Sequence, residues 1–189
     1  MTIKKINILL TGFFIIIYTL IIYKYQYLKF PNTYTATEWL INYQGGFIRR
    51  GFLGEILFFF SDNNIFDIKY IFFYLITFVY SLIIFLFFNL INKIKIDKLI
   101  IILIICPLFL VYPLIETDII GRKEIFLILS ILIYVNLFNN KSVKSQIFYI
   151  FITTNLLFFL HEGLVFYFQF FFLIFFIINK ENIEYKFFF

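Results

Sequence analysis

Apolar residues run almost unbroken along most of this chain, and short polar tethers divide them into segments of membrane-crossing length. The runs are Ile6–Tyr23, Tyr70–Ile91, Leu99–Ile115, Ile125–Phe138, Ile147–Leu160 and Leu164–Ile178. Each is apolar all round rather than along one stripe, the pattern of helices that bury every face in lipid or protein. The expected fold is therefore all-α, a polytopic transmembrane bundle of about six spans forming one integral membrane domain over residues 1–189. No small-residue cleavage site follows the first run, so it is expected to stay as an uncleaved span rather than leave as a signal peptide.

Residues 24–69 break the pattern and are expected to form a long extracytoplasmic loop with short juxtamembrane helices. Thr35 or Thr37 is placed to cap a short helix through Trp39 and Tyr43, with Gly45-Gly46 as its stop. A second helix is expected over Phe52–Phe60, ended by Ser61-Asp-Asn-Asn. It is too short to span, since about 20 residues are needed, so an interfacial or re-entrant position is expected.

Composition agrees with the pattern. The chain is 63% hydrophobic, 25% aromatic and 14% charged, with a mean hydropathy of +0.97, against roughly half apolar and about a quarter charged in soluble domains. One cysteine, Cys106, rules out an intramolecular disulfide or a cysteine metal cluster. The net charge of +5 does not indicate nucleic acid, because most lysines lie in the tethers between spans. With the N-terminus cytoplasmic, Lys4, Lys5, Lys93, Lys95, Lys98, Lys141, Lys144, Lys180 and Lys186 face inward against Asp97, Glu181 and Glu184, about +6. The opposite face sums to about −1, as the positive-inside rule requires. The expected location is a membrane, crossed several times with the N-terminus cytoplasmic, and the lipid bilayer is the first partner.

Every arginine, the single histidine and most carboxylates fall on the expected outer face, in three groups. The first is Thr35–Glu55, which holds Glu38, the only tryptophan, Arg49, Arg50 and four of the seven glycines. Paired guanidiniums beside bare backbone suit a phosphate, and Glu38 suits a general base or metal ligand. The bland alternative is an interfacial loop, with Trp39 and Tyr43 at headgroup depth and the arginines on lipid headgroups. The second group is Glu116-Thr-Asp118 followed by Arg122. Its two carboxylates can serve one divalent cation, or a sugar hydroxyl and a catalytic proton; equally, Asp118 and Arg122 can pair across a helical turn. The third is His161-Glu162-Gly163, between two short apolar runs. A histidine and a carboxylate at membrane depth are costly unless they line a wet cavity. The rival readings are a packing histidine and one long tilted helix running through it. Thr153, Thr154 and Asn155 are further polar residues inside a span, read as a transport feature or as helix–helix glue.

The succession of one span, a long outer loop with an acidic residue, two spans and a loop with Glu-x-Asp resembles the N-terminal module of GT-C glycosyltransferases. The stretches Asn42–Gly51, Gly121–Glu124 and His161–Gly163 also look like those of polytopic proteins of bacterial surface-polysaccharide loci. The resemblance implies a polyprenyl-phosphate-linked sugar as donor, a glycan acceptor, and Glu38, Glu116 and Asp118 as the loop acids. Arg49, Arg50, Arg122, His161 and Glu162 are then substrate-binding residues, with a divalent cation as an open cofactor. The same features also admit a repeat-unit polymerase or a non-enzymatic transport or assembly subunit. The ending at Phe187-Phe-Phe is read as that of a truncated relative.

Overall fold

The computed structural model describes residues 3–46, 51–62, 67–93, 113, 116–138 and 141–180. Among them the chain is all-helical, with seven α-helices and no strand. These are α1 (Ile3–Ile22), α2 (Tyr34–Trp39), α3 (Phe52–Asp62), α4 (Ile68–Ile91), α5 (Ile125–Ile133), α6 (Val143–Leu160) and α7 (Phe168–Ile178). Three helical stretches are long and apolar enough to cross a membrane: Asn7–Tyr27, Ile68–Ile91 and Val143–Leu160. Ile125–Phe138 and Phe168–Ile178 are shorter apolar helices. Of the run Leu99–Ile115, all but Pro113 lies outside the described residues.

Helix α4 is the centre of the bundle. Asp67 starts it, its carboxylate accepting from the Lys69 backbone N–H at 2.9 Å. Its buried residues Phe72, Ile76, Val79, Tyr80, Ile83 and Ile84 recur at three- and four-residue steps, which places them along adjoining faces. Helix α1 runs antiparallel to it. Tyr18 stacks on Tyr80 with ring centroids 4.9 Å apart, Tyr27 meets Tyr70 at 5.5 Å, and at the other end Asn7 donates to Asn92. The outward faces carry large apolar side chains instead: Phe78 is 66% exposed and Ile177 75%. That inversion of soluble-protein packing is the form expected of a bundle solvated by lipid.

Amide side chains tie one end of the bundle together. Asn89 donates to the Asn136 carbonyl at 2.9 Å, and the Asn136 amide donates to Leu86 O at 3.2 Å and Leu132 O at 2.9 Å. In taking the carbonyl four residues back, Asn136 competes with the helical ladder, and the chain widens into a π turn over Tyr134–Phe138. Gln146 is a three-way node. Its carbonyl accepts from Tyr134 OH at 2.8 Å and from Asn179 Nδ2 at 2.7 Å, and its amide donates to Lys141 O at 2.9 Å.

The Gln146–Asn179 bond decides the path through His161. One continuous helix between those residues would separate them by about 50 Å, whereas they are hydrogen-bonded. The chain instead leaves α6 at His161 in extended backbone (φ −162°, ψ 120°), winds as a 3-10 turn over Glu162–Tyr167, and returns as α7. The single long helix through His161 is excluded.

Replacing Gln146 by Leu keeps the volume but strands the Tyr134 hydroxyl and takes one acceptor from the Asn179 amide and the donor from Lys141 O. The expected cost is about 1–3 kcal/mol, read as a lower melting temperature of the purified protein in detergent. Tyr134→Phe, which leaves the Gln146 carbonyl its bond from Asn179, should lose less.

Candidate functional site

At the opposite end of the bundle the first loop is fastened to the turn before α5. Gln26, buried in a π turn over Tyr23–Tyr27, donates to Ile120 O at 2.6 Å. Its own carbonyl accepts from Thr33 Oγ1 at 2.9 Å and Thr35 Oγ1 at 3.0 Å, which fixes the amide's orientation. Thr33 also caps α2, accepting from Ala36 N at 3.1 Å. The cap is thus Thr33, not Thr35 or Thr37, because the Thr35 hydroxyl is committed to Gln26 and the Thr37 hydroxyl donates back to Tyr34 O.

Trp39 makes the second fastening. Its indole N–H donates to Gly121 O at 2.6 Å, and its ring packs against Phe72 at 5.5 Å and Phe126 at 5.7 Å. The side chain is fully buried, so the ring packs inside the protein rather than being presented to lipid headgroups. Gly121 is the receiving residue for conformational reasons. Its φ is +91°, and a Cβ there would lie 2.9 Å from Ile76 Cδ1. Its N–H points to the Tyr80 hydroxyl at 3.4 Å.

Helix α2 ends at Trp39 rather than continuing through Tyr43, because α3 crosses the segment that follows. Gly54 packs so closely that an added Cβ would overlap the Ile41 carbonyl oxygen. One turn of side chain further, Glu55 accepts from Tyr43 N at 3.0 Å. Phe52 meets Phe159 with centroids 6.4 Å apart, bringing α3 against the end of α6 just before His161.

The fastened loops bring two of the expected site residues to one tyrosine. Glu38 accepts from Tyr34 OH at 2.9 Å, and the Arg122 guanidinium lies over the Tyr34 ring at 5.9 Å. Tyr34 and Arg122 are exposed and Glu38 half-buried, so the group opens to the surroundings. Glu116 is also exposed, at the start of the 3-10 turn Thr117–Ile119. His161 is half-buried, and its Nδ1 accepts from Gly163 N at 3.1 Å. The neutral imidazole therefore carries its proton on Nε2. Gly163 follows from the same contact, since a Cβ would come within 3.0 Å of the ring. Arg49 and Arg50 lie outside the described residues, as do the side chains of Asp118 and Glu162. Among the described residues no group of three or more His, Cys, Asp or Glu side chains is placed to hold a metal ion.

The sequence reading missed the residues that build this end. Gln26, Thr33 and Tyr34 lay in a stretch read only as loop. Lys123 and Glu124 were read as surface charges, yet Lys123 is 1% exposed. One Glu124 oxygen is buried without a hydrogen-bond partner among the described residues. A lysine and a glutamate just before an apolar run look the same in sequence whether they flank the span or lie inside it.

A family model described as "Uncharacterised membrane protein Rv1490" matches residues 8–184. No curated protein and no solved structure matches the chain.

Two substitutions test the fastening. Trp39→Phe keeps the ring but leaves Gly121 O without its donor, for an expected loss of about 1–3 kcal/mol. Gly54→Ala forces α3 away from the Ile41 carbonyl, with a loss of similar size from overpacking. Both should lower the melting temperature in detergent and hasten proteolysis between residues 40 and 51, whereas Gly45→Ala, with open space around its Cβ position, should leave both unchanged.

Proposed function

The chain belongs to the Rv1490 family of membrane proteins, and from that setting we propose that it acts in assembly of the bacterial cell-surface polysaccharide. In this reading it sits in the inner membrane with its N-terminus cytoplasmic, binds a polyprenyl-phosphate-linked sugar at the extracytoplasmic face, and transfers the sugar to a glycan acceptor. The observation that carries the reading is the group at Tyr34, where an acid from the first loop and a cation from the second are held on one exposed ring.

The chemistry suits those residues. A guanidinium placed over an aromatic ring leaves N–H donors for oxygen pairs, which suits a phosphate. Glu38, which accepts from Tyr34, is the base for an acceptor hydroxyl. During transfer the acceptor proton passes to the carboxylate. The bond from the sugar's anomeric carbon to the phosphate oxygen breaks as the bond to the acceptor oxygen forms, and the electron pair leaves with the lipid phosphate. Negative charge on that phosphate grows through the transition state, where Arg122, with Arg49 and Arg50 of the first loop, contributes most. Glu116 and Asp118 serve the sugar hydroxyls or a divalent cation, and His161 and Glu162 the acceptor side.

In cells with protein levels matched by immunoblot, Glu38→Gln and Arg122→Ala should each remove a surface-glycan band and cause its lipid-linked precursor to accumulate. Loss of a general base corresponds to a drop of about 10²–10⁴ in transfer rate. Wild-type glycans from both variants would sink the transferase reading and leave a non-enzymatic assembly subunit. A retained single-unit band with loss of longer chains would indicate the polymerase instead.

A further inference from the structure

The α6–α7 hairpin presents polar groups where lipid would be expected. Asn155 and Gln169 are both exposed. Asn155 donates to the Phe151 carbonyl at 2.7 Å, and its own carbonyl and second amide hydrogen take no hydrogen bond from the described residues. Gln169 takes none either. Their heights above the Gln146–Asn179 bond can be counted along each helix. Asn155 is nine residues beyond Gln146, a rise of about 13–14 Å, and Gln169 is ten residues before Asn179, about 15 Å. The two amides therefore share one depth, about half the thickness of a ~30 Å hydrocarbon layer from that bond.

Each amide also interrupts an otherwise apolar seam. On α6, Phe148, Ile152, Asn155 and Phe159 follow steps of four, three and four, with Phe148 66% exposed. On α7, Gln169, Phe172 and Phe176 follow steps of three and four, and all are exposed. Such spacing forms a helix-packing seam, and a single amide within it sets register and partner number. Lipid tails offer an amide nothing. A second copy related by a two-fold axis along the membrane normal does, because that operation keeps every residue at its own depth and makes each contact twice.

We propose that two copies of the chain associate through the α6–α7 hairpin, with Asn155 of each hydrogen-bonded to Gln169 of the other. The inference is independent of the transferase reading, since it uses none of the residues around Tyr34. Reciprocity is what picks a second copy over an unrelated partner: the chain carries both halves of the contact at matching depth.

The test co-expresses two differently tagged full chains in native membranes with Cys106→Ser as background, one carrying Ile152→Cys and the other Phe172→Cys. These positions lie about 9 and about 10 Å above the Gln146–Asn179 bond. The control pairs Phe172→Cys with Phe13→Cys, on the exposed face of α1. Oxidation should give a band of twice the monomer mass that carries both tags for the first pair and not for the control. Asn155→Leu and Gln169→Leu each remove two symmetric contacts, so each should weaken dimerisation by about tenfold or more, measured by energy transfer between labelled copies in vesicles. Asn155→Gln should retain it. Leucine on a lipid-facing seam does not threaten folding, and immunoblot and melting temperature check this. Absence of the dimer band, equal cross-linking from Phe13→Cys, unchanged dimerisation in both leucine variants, or a cross-link to a different protein would each overturn the proposal.

Discussion

Two carbonyl oxygens govern one end of this protein. Ile120 and Gly121 lie where the chain leaves a 3-10 turn and has not yet entered α5, so their carbonyls fall outside any helical ladder. Both residues are buried, and a buried carbonyl without a donor is expensive. The donors come from nearly a hundred residues away in sequence, from Gln26 and Trp39. The first loop is therefore part of the second loop's solvation. Its own shape follows: Thr33 and Thr35 orient Gln26, Thr33 caps α2, and α2 delivers Trp39. The close crossing of Gly54 on Ile41 then sets where α3 lies.

The other end uses the same device with different parts. Asn7 with Asn92, Asn89 with Asn136, and Gln146 with Tyr134 and Asn179 join separate helical segments. In lipid there is no hydrophobic force to press these helices together, so shape and polar contact must do it, at about 0.6 kcal/mol per hydrogen bond and up to about 1.7. No single contact of that size holds a bundle. Several at each end, with the stacked Tyr18 and Tyr80 between them, specify which faces meet, and the apolar residues between them fill the space.

Much of the helical architecture was legible because its signal is length and apolarity, which need no partner to be read. The helix over Phe52–Asp62 could be placed nearly to the residue for a different reason: its limits are local, a glycine before it and a polar cluster after it. The α2 cap was misassigned because Thr33, Thr35 and Thr37 are equivalent until Gln26 claims one of them. Glu38 and Arg122 were recognisable as chemistry-bearing, but nothing in the sequence said that Tyr34 would join them. Trp39 illustrates the deeper limit. Aromatic rings with one polar atom suit a membrane interface and a buried hydrogen bond equally well, and the choice is made by a carbonyl 82 positions away. Lys123 was opaque on the same grounds, since flanking and buried charges differ only in what packs over them.

The two layers at this end have separable roles. Gln26, Trp39, Gly121 and Gly54 are buried and mutually constrained, and they form a base that cannot change without shifting its neighbours. Tyr34, Glu38 and Arg122 stand on that base and meet one another there. The open layer contributes little to folding, because exposed charge contacts are weak and screened. It does depend on the base for position: Tyr34 and Glu38 belong to α2, Arg122 follows Gly121 directly, and the Trp39 and Gln26 bonds keep those two segments in register. A site assembled from two loops can therefore be disabled in two physically distinct ways. Loss of a base contact separates the acid from the cation and destabilises the fold with it. Loss of an open-layer side chain removes chemistry while the fold stays as it was, so stability and activity, measured together, assign each residue to its layer.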